Sequence, residues 1–279
     1  MNTVRALAVL VCILCARPVL AQATDPIEYS VAPNYSYAVF VGSGVYTLDD
    51  RRVYVARMGF SWHWKEADAA TGDLGVKFLL PVTVGITNFE DFEDLPDLTV
   101  DDISTLSFVP GVELEFALSE RFSVKPFAQA GVGLEFQDKD TTFVWGAGVR
   151  SRYTKTLGKS DWILGGELMA AGNVPGSGVE SSSIVRAGFG VEHVYPLAWE
   201  WNGRRTTLHT QLIGYHYPNE ATFDAPASDI SIDNTIQLGM AIGIDPAFKF
   251  LGISVRQVGV GYKHGNDISA ITLVTSFPF

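Results

Sequence analysis

Long stretches of the chain alternate between apolar and polar residues. Between residues 54 and 64 the even positions are apolar or aromatic, whereas the odd positions include Arg57, Ser61 and His63. The same alternation recurs over residues 74–86, 105–118, 124–136 and 143–153. Successive side chains of a β-strand point to opposite faces of the sheet. Each stretch therefore predicts a strand with one apolar face and one polar face, and the chain as a whole is predicted to be all-β.

These strands are longer than those of soluble sheets. Strands of soluble proteins usually have about 5–6 residues, whereas about 9–11 residues are needed to cross a bilayer at a tilt. Further strands are predicted near residues 36–47, 161–171, 181–195, 206–217, 232–244, 250–263 and 268–279, with a bulge around 255–260. Their even number fits a single-chain bacterial barrel. The predicted fold is a transmembrane antiparallel up-and-down β-barrel of about twelve strands.

The connections favour one orientation of this barrel. With both chain ends in the periplasm, the two longest connections, 88–102 and 218–231, lie outside. The periplasmic connections are predicted to be tight turns, including 119–121, 156–160 and 245–249. Only residues 196–205 are long for such a turn. An aromatic girdle at the membrane interface is predicted from the six tryptophans, and the alternative is that they are simple aromatics of the sheet core. These are Trp62, Trp64, Trp145, Trp162, Trp199 and Trp201.

The first 23 residues predict export. A positive charge at Arg5 precedes an apolar run that is too short to span a membrane, and small residues at Ala21 and Ala23 offer cleavage sites. We expect a cleaved signal peptide over 1–23, which leaves a mature barrel domain over 24–279. Both cysteines of the chain lie in the signal, so the mature domain would have neither a disulfide nor a thiol nucleophile.

The charge of the chain excludes one class of partner. The formal net charge is −11, and loss of Arg5 and Arg17 with the signal would lower it to −13. A nucleic-acid-binding protein would need a basic footprint, which this composition lacks. After the signal, no apolar run approaches the ~18–20 residues of a membrane-spanning helix.

The C-terminal stretch carries a resemblance to a known family. In residues 268–279 one side of the alternation holds Ile271, Leu273, Thr275, Phe277 and Phe279, and the chain ends on the aromatic. Together with the signal and the twelve strands, this resembles the translocator barrel of autotransporters. About ten residues separate the cleavage site from the first strand, so the chain is most similar to the solitary autotransporter-type barrels, which have no passenger.

This resemblance implies a location and a set of partners. It implies an integral barrel in the outer membrane of a Gram-negative bacterium, with the apolar face toward lipid and the polar face toward the lumen. Phe277 and Phe279 would form the signal read by the barrel-assembly machinery, with periplasmic chaperones as further partners. The barrel would be a monomer that contacts outer-membrane lipids and lipopolysaccharide. Its role would be in surface structure or in an undefined transport step.

The polar face gathers charges on neighbouring predicted strands. The candidate lumen cluster consists of Glu113, Glu115, Lys125, Glu135, Arg150 and Arg152. The same parity continues with Glu167, Arg186 and Glu192. One interpretation is a structural salt-bridge network that satisfies a polar interior. The alternative is a charged constriction in a narrow channel for small solutes.

The predicted outer connection 88–102 is rich in carboxylates. It contains Glu90, Asp91, Glu93, Asp94 and Asp97. Oxygen-only ligands of this kind suit Ca²⁺ or Mg²⁺, including ions that bridge lipopolysaccharide phosphates. The alternative is a solvated acidic loop. Because no spaced calcium-binding loop is present, we predict no firm metal site and no cofactor.

Enzymatic activity has little support in the sequence. Outer-membrane acyl hydrolases typically carry an H-x-S pair on a strand, and none of the five histidines has a Ser at that spacing. A rim-located hydrolase in which His209 or His216 meets Asp224 or Asp229 remains an alternative. We therefore expect that the protein is not an enzyme. A soluble β-sandwich is disfavoured because it would expose too much apolar surface.

Overall fold

A computed structural model describes residues 41–48, 51–86, 103–136, 139–176, 181–225, 228–250 and 253–279. The predicted signal peptide lies outside these residues. So do the acidic residues Glu90, Asp91, Glu93, Asp94 and Asp97, and the predictions made for both segments stay predictions. Within the described ranges, no helix is long and apolar enough to cross a membrane.

Thirteen β-strands make up the described structure. The first seven are β1 (Gly44–Leu48), β2 (Arg51–Lys65), β3 (Leu74–Ile86), β4 (Ile103–Phe108), β5 (Gly111–Ser119), β6 (Phe122–Glu135) and β7 (Asp140–Leu157). The remaining six are β8 (Ser160–Pro175), β9 (Ser182–Trp201), β10 (Arg204–Ala225), β11 (Ser228–Phe250), β12 (Ile253–Gly265) and β13 (Ile268–Val274).

The sheet closes into a barrel with twelve strand positions. Every strand pairs antiparallel with its neighbours, and the ring closes where β1 pairs with β13 through Gly44 and Thr272. β4 and β5 occupy one position, because both pair with β3 and with β6. Val109 and Pro110 separate the two halves, and Pro110 has no amide hydrogen to donate to the ladder. The predicted twelve-stranded antiparallel barrel is confirmed.

The two faces of the barrel differ as the alternation predicts. On β11, Leu238 and Met240 are exposed on the outside, whereas the next residue along, Ala241, is buried inside. The outer face also exposes apolar side chains on the other strands. Examples are Met58, Leu80, Val132, Val149, Leu168, Leu212, Val258 and Leu273. The barrel is therefore apolar outside and mixed polar and apolar inside.

The connection predicted over residues 196–205 is instead a strand hairpin. β9 continues to Trp201, and β10 starts at Arg204, so only two residues form the turn. Asn202 and Gly203 both have positive φ, at 50° and 72°, as a two-residue hairpin turn requires. The prediction of a long connection here was wrong because the Asn-Gly turn signal was overlooked.

Two further predicted connections also belong to strands. The 218–231 segment is mostly a hairpin, since β10 runs to Ala225 and β11 starts at Ser228. The turn predicted over 245–249 lies within β11. There the register to β12 shifts from the pair Gly243–Gln257 to the pair Phe248–Val255, which leaves the extra residues on β11. An irregularity near residues 255–260 was predicted, and the structure places its bulge on the partner strand.

Candidate functional site

The last five residues, Thr275–Phe279, leave the barrel wall and turn into the lumen. We call them the C-terminal tail. β13 ends at Val274, a bend follows at Thr275 and Ser276, and Phe277 and Phe279 are only 7% and 4% exposed. The expectation that both rings lie on the outer face was wrong, because the tail no longer follows the strand. Whether they act as an assembly signal stays a prediction.

The tail rests on a seat formed by lumen-facing residues of β8, β9 and β10. Its two phenyl rings meet edge to face with centroids 5.1 Å apart, and they pack against Ile163, Ile213 and Tyr215. The seat is also lined by three glycines, whose missing side chains leave room for Phe279. These are Gly165, Gly188 and Gly190.

A ladder of ion pairs runs along the lumen wall from β3 to β9. Lys77 Nζ lies 2.5 Å from Glu113, and Arg150 lies 2.8 Å from the same carboxylate. Arg150 Nε also donates to Glu167 over 2.9 Å, and Arg186 lies 2.6 Å from Glu167. We call these five residues the charge ladder. The carboxylates of Glu113 and Glu167 are both buried. Each contacts two cationic side chains, so its negative charge is compensated away from water.

The structure joins only part of the predicted lumen cluster to this ladder. Glu113 and Arg150 belong to it, together with Lys77, which the sequence analysis left out of the cluster. The remaining four predicted residues have other positions. Lys125 lies 3.8 Å from Glu115. Arg152 lies between Ser123 on β6 and Gly165 on β8 in the sheet, and Glu135 lies at the far end of β6, opposite Asp140.

Aromatic rings continue the ladder toward β12 and β1. The Arg186 guanidinium lies 4.6 Å from the Tyr215 ring centre, and Lys263 Nζ lies 5.2 Å from the same ring and 6.0 Å from Tyr46. Arg150 lies 4.0 Å above Phe127. Cations over ring faces gain electrostatic attraction when they are removed from water. These contacts were not predictable from strand parity alone.

Apolar side chains from opposite walls also meet in the lumen. Ile184 on β9 packs against Phe127 and Met169 on one side, and on the other against a cluster from β1, β2, β11 and β13. Val144 and Ile213 are each 1% exposed. A water-filled channel would leave such lumen-facing side chains accessible. Around Ile184 the lumen is therefore packed with side chains.

A second polar constellation lies nearer the end of the barrel that carries the Asn202–Gly203 turn. His209 Nδ1 lies 3.0 Å from Glu192 Oε1, and His209 Nε2 lies 2.9 Å from Thr207 Oγ1. Gln257 Nε2 donates to the same carboxylate oxygen of Glu192 over 3.2 Å. His209 was a candidate base in the sequence, but neither Thr207 nor Glu192 was predicted as its partner. The T-x-H spacing could have found Thr207, because it places Thr207 and His209 on one face of β10, whereas it carries no signal for Glu192.

The alternative rim arrangement is only partly visible. His216 is exposed, and its Nδ1 lies 2.9 Å from Asn234 Oδ1. The side chains of Asp224 and Asp229 lie outside the described part of the structure. The described residues contain no group of His, Cys, Asp or Glu that could hold a metal ion.

Comparisons with known proteins give no family assignment. No protein-family model matches the sequence. No curated protein matches it either. Ten chains of solved structures are similar to this chain in fold.

Two of these solved structures are receptors from Pseudomonas aeruginosa. The siderophore receptor PirA matches at 10% identity over 84% of this chain and 42% of its own, with a TM-score of 0.35. A mutant of the ferric enterobactin receptor PfeA, in complex with enterobactin, matches at 10% identity over 82% and 41%, with a TM-score of 0.32. This chain spans less than half the length of either receptor, and similarities this weak carry no conclusion about its function.

Proposed function

We propose that this protein is an integral outer-membrane barrel of the solitary autotransporter type, whose role is structural or at the cell surface. One observation carries this proposal: the lumen is filled by buried side chains and by the C-terminal tail. A channel for small solutes needs a continuous aqueous path past these groups. The filled lumen therefore favours the structural interpretation of the predicted charge cluster over a conducting constriction.

The outer face supports insertion in a membrane. Its exposed residues are overwhelmingly apolar along the middle of the strands. Five exposed tryptophans cluster at the end that carries the turns after β7 and β9, as an interfacial girdle would. They are Trp62, Trp64, Trp162, Trp199 and Trp201. Trp145, the sixth, lies on the other half of β7 and is half-buried.

The two ends of the barrel support an assignment of orientation. At one end the turns after β5, β7 and β9 have two residues each, and the longest connection there, between β2 and β3, has eight. At the opposite end sixteen residues separate β3 from β4, and the hairpin of β10 and β11 is extended. Outer-membrane barrels have short periplasmic turns and longer outer connections. The β10–β11 hairpin would then project from the cell, where it can contact lipopolysaccharide or other surface partners.

The proposal keeps the barrel-assembly machinery and periplasmic chaperones as partners of a monomeric barrel. Phe277 and Phe279 remain the proposed assembly signal. Because both rings are buried in the folded barrel, the machinery would have to read them before the C-terminal tail docks in the lumen.

Epitope insertion in intact cells tests the location and the orientation together. One variant carries an epitope between Ala225 and Ser228, and the matched control carries it between Asn202 and Gly203. We expect antibody to label intact cells only for the first variant, and both variants once the outer membrane is permeabilised. Labelling of the control in intact cells, or recovery of both proteins in the soluble fraction, would contradict the proposal.

A further inference from the structure

We propose that Thr207, His209 and Glu192 form a nucleophile, base and acid arrangement that hydrolyses small carboxylic esters at the periplasmic end of the lumen. This goes beyond the proposed structural role and departs from the expectation that the protein is not an enzyme. The two hydrogen bonds of the His209 imidazole, one on each ring nitrogen, carry the inference.

The partners of His209 define its tautomer. A carboxylate can only accept a hydrogen bond, so Nδ1 carries the hydrogen that is donated to Glu192. Nε2 is then free to accept a hydrogen bond from the Thr207 hydroxyl. This is the order of contacts in which a base activates a hydroxyl nucleophile while an acid orients the base. Thr207 and His209 are the catalytic residues, and Glu192 is a positioning residue.

The surroundings hold this arrangement in place. Glu192 is 2% exposed and is fixed by the amide of Gln257. In this dry environment its charge would stabilise the imidazolium that forms when His209 takes a proton. Gly243 pairs with Thr207 across the ladder. A Cβ at Gly243 would overlap both His209 Nε2 and Thr207 Oγ1, so this glycine leaves the room that the pair needs.

The site lies between the Asn202–Gly203 turn and the C-terminal tail. Thr207 is half-buried and lies close to the Asn202–Gly203 turn, whereas Phe279 fills the lumen further in, beside Gly190 and Ile213. A substrate would therefore enter from the periplasmic end and stop at the C-terminal tail. Because the tail lies directly beyond the site, the proposed substrate is an ester with a short acyl group.

The reaction proceeds in two balanced steps. Thr207 Oγ attacks the ester carbonyl carbon while its proton passes to His209 Nε2; the C–O bond to the alcohol then breaks, and the alcohol leaves with that proton. An acyl ester on Thr207 remains. Water then attacks the carbonyl carbon of this ester and gives a proton to His209 Nε2. The bond between the acyl carbon and Thr207 Oγ breaks, and Thr207 Oγ takes that proton from Nε2. The sum is ester plus water to carboxylic acid plus alcohol.

Hydrolysis of p-nitrophenyl acetate by the full chain, folded in detergent micelles, tests the proposal. We expect saturable release of p-nitrophenolate and an acetyl adduct on the peptide that contains Thr207. His209→Ala should lose about 10²-fold or more in kcat, the usual contribution of a general base. The near-isosteric Thr207→Val removes the nucleophile and should lose at least as much. Thr207→Ser should retain activity, and Glu192→Gln should lower kcat with little change in KM.

His216→Ala is the matched control, because this exposed histidine lies outside the arrangement, and its rate should equal that of the wild type. Heat-modifiable migration in gels shows that each variant is folded, and the activity of Thr207→Ser separates a missing nucleophile from a damaged barrel. Equal rates for the wild type and folded Thr207→Val, or an acetyl adduct only on other residues, would overturn the proposal.

Discussion

The last strand of the barrel and the C-terminal tail that follows it share one alternation in sequence but lie in opposite surroundings. On β13, Ile271 and Leu273 are 57% and 51% exposed on the outer face. Phe277 and Phe279 have the same parity, yet both are buried in the lumen. The same sequence pattern therefore leads once to the exposed outer surface and once to the interior.

The difference shows what fixes the faces of a strand. β13 is held on both sides, by β1 and by β12, and its ladder to β12 ends with the pair Val274–Gly259. While both ladders hold, the pleat decides where each side chain points. Beyond Val274 the chain bends, and Pro278 has no amide hydrogen with which to resume pairing. The rings are then free to pack where space exists, which is over the glycines of the seat.

The largest effect is expected inside, at the charge ladder beside this seat. Glu167→Gln would leave Arg150 and Arg186 without the carboxylate that both contact. Breaking a buried ion pair in this way costs about 3–5 kcal/mol. We expect a loss of that size in the free energy of unfolding, measured by urea titration in vesicles. Glu115→Gln is the control, since its contact with Lys125 is long and half-exposed, and it should cost less than about 1 kcal/mol. Equal losses in the two variants would show that the charge ladder stabilises the barrel no more than the half-exposed pair does.

The next effect is expected on the outer side of β13. Ile271→Arg would place a charge on the exposed apolar face, which costs about 2–4 kcal/mol near the middle of a bilayer. Ser269→Arg, on the same face but nearer the outer end, should cost about 0–1 kcal/mol. The same urea titration measures both. If the two variants lose the same stability, the face around Ile271 does not lie against lipid.

A smaller effect is expected at the seat of the C-terminal tail. Gly165→Ala would place a Cβ against the Cβ of Phe279 and should displace the tail at a cost of about 1–3 kcal/mol. Carboxypeptidase should then remove Phe279 faster than in the wild type, as followed by mass spectrometry. Gly214→Ala is the control, because a Cβ there meets nothing within 4 Å. Unchanged digestion in Gly165→Ala would show that the tail does not rest on this glycine.

The sequence predicts the barrel well, because the features that define it are periodic. The alternation along strands such as β6, β7 and β8 shows which side chains face outward and which face the lumen. The number of such stretches gives the twelve strand positions. The ends of strands are harder to predict. β9, β10 and β11 extend past the length of the predicted strands, and the Asn202–Gly203 turn signal marks the end of β9.

The candidate sites are less predictable because they depend on contacts between distant strands. Parity placed Glu113, Arg150 and Glu167 on the lumen face, but it could not show which cations reach which carboxylates. Lys77 and Lys263 point inward like many other residues, and only the register and the packing show their partners. Similarly, the pairing of His209 with Glu192 depends on the register between β9 and β10.

The central claim is that the lumen is closed by its own side chains and by the C-terminal tail. Single-channel conductance of the folded full chain in a planar bilayer tests it most directly, with heat-modifiable migration as the check for folding. The account predicts a folded barrel that inserts and shows no discrete openings. Steady openings whose conductance shifts in Arg150→Ala would contradict it and would make the charge ladder part of a conducting pore.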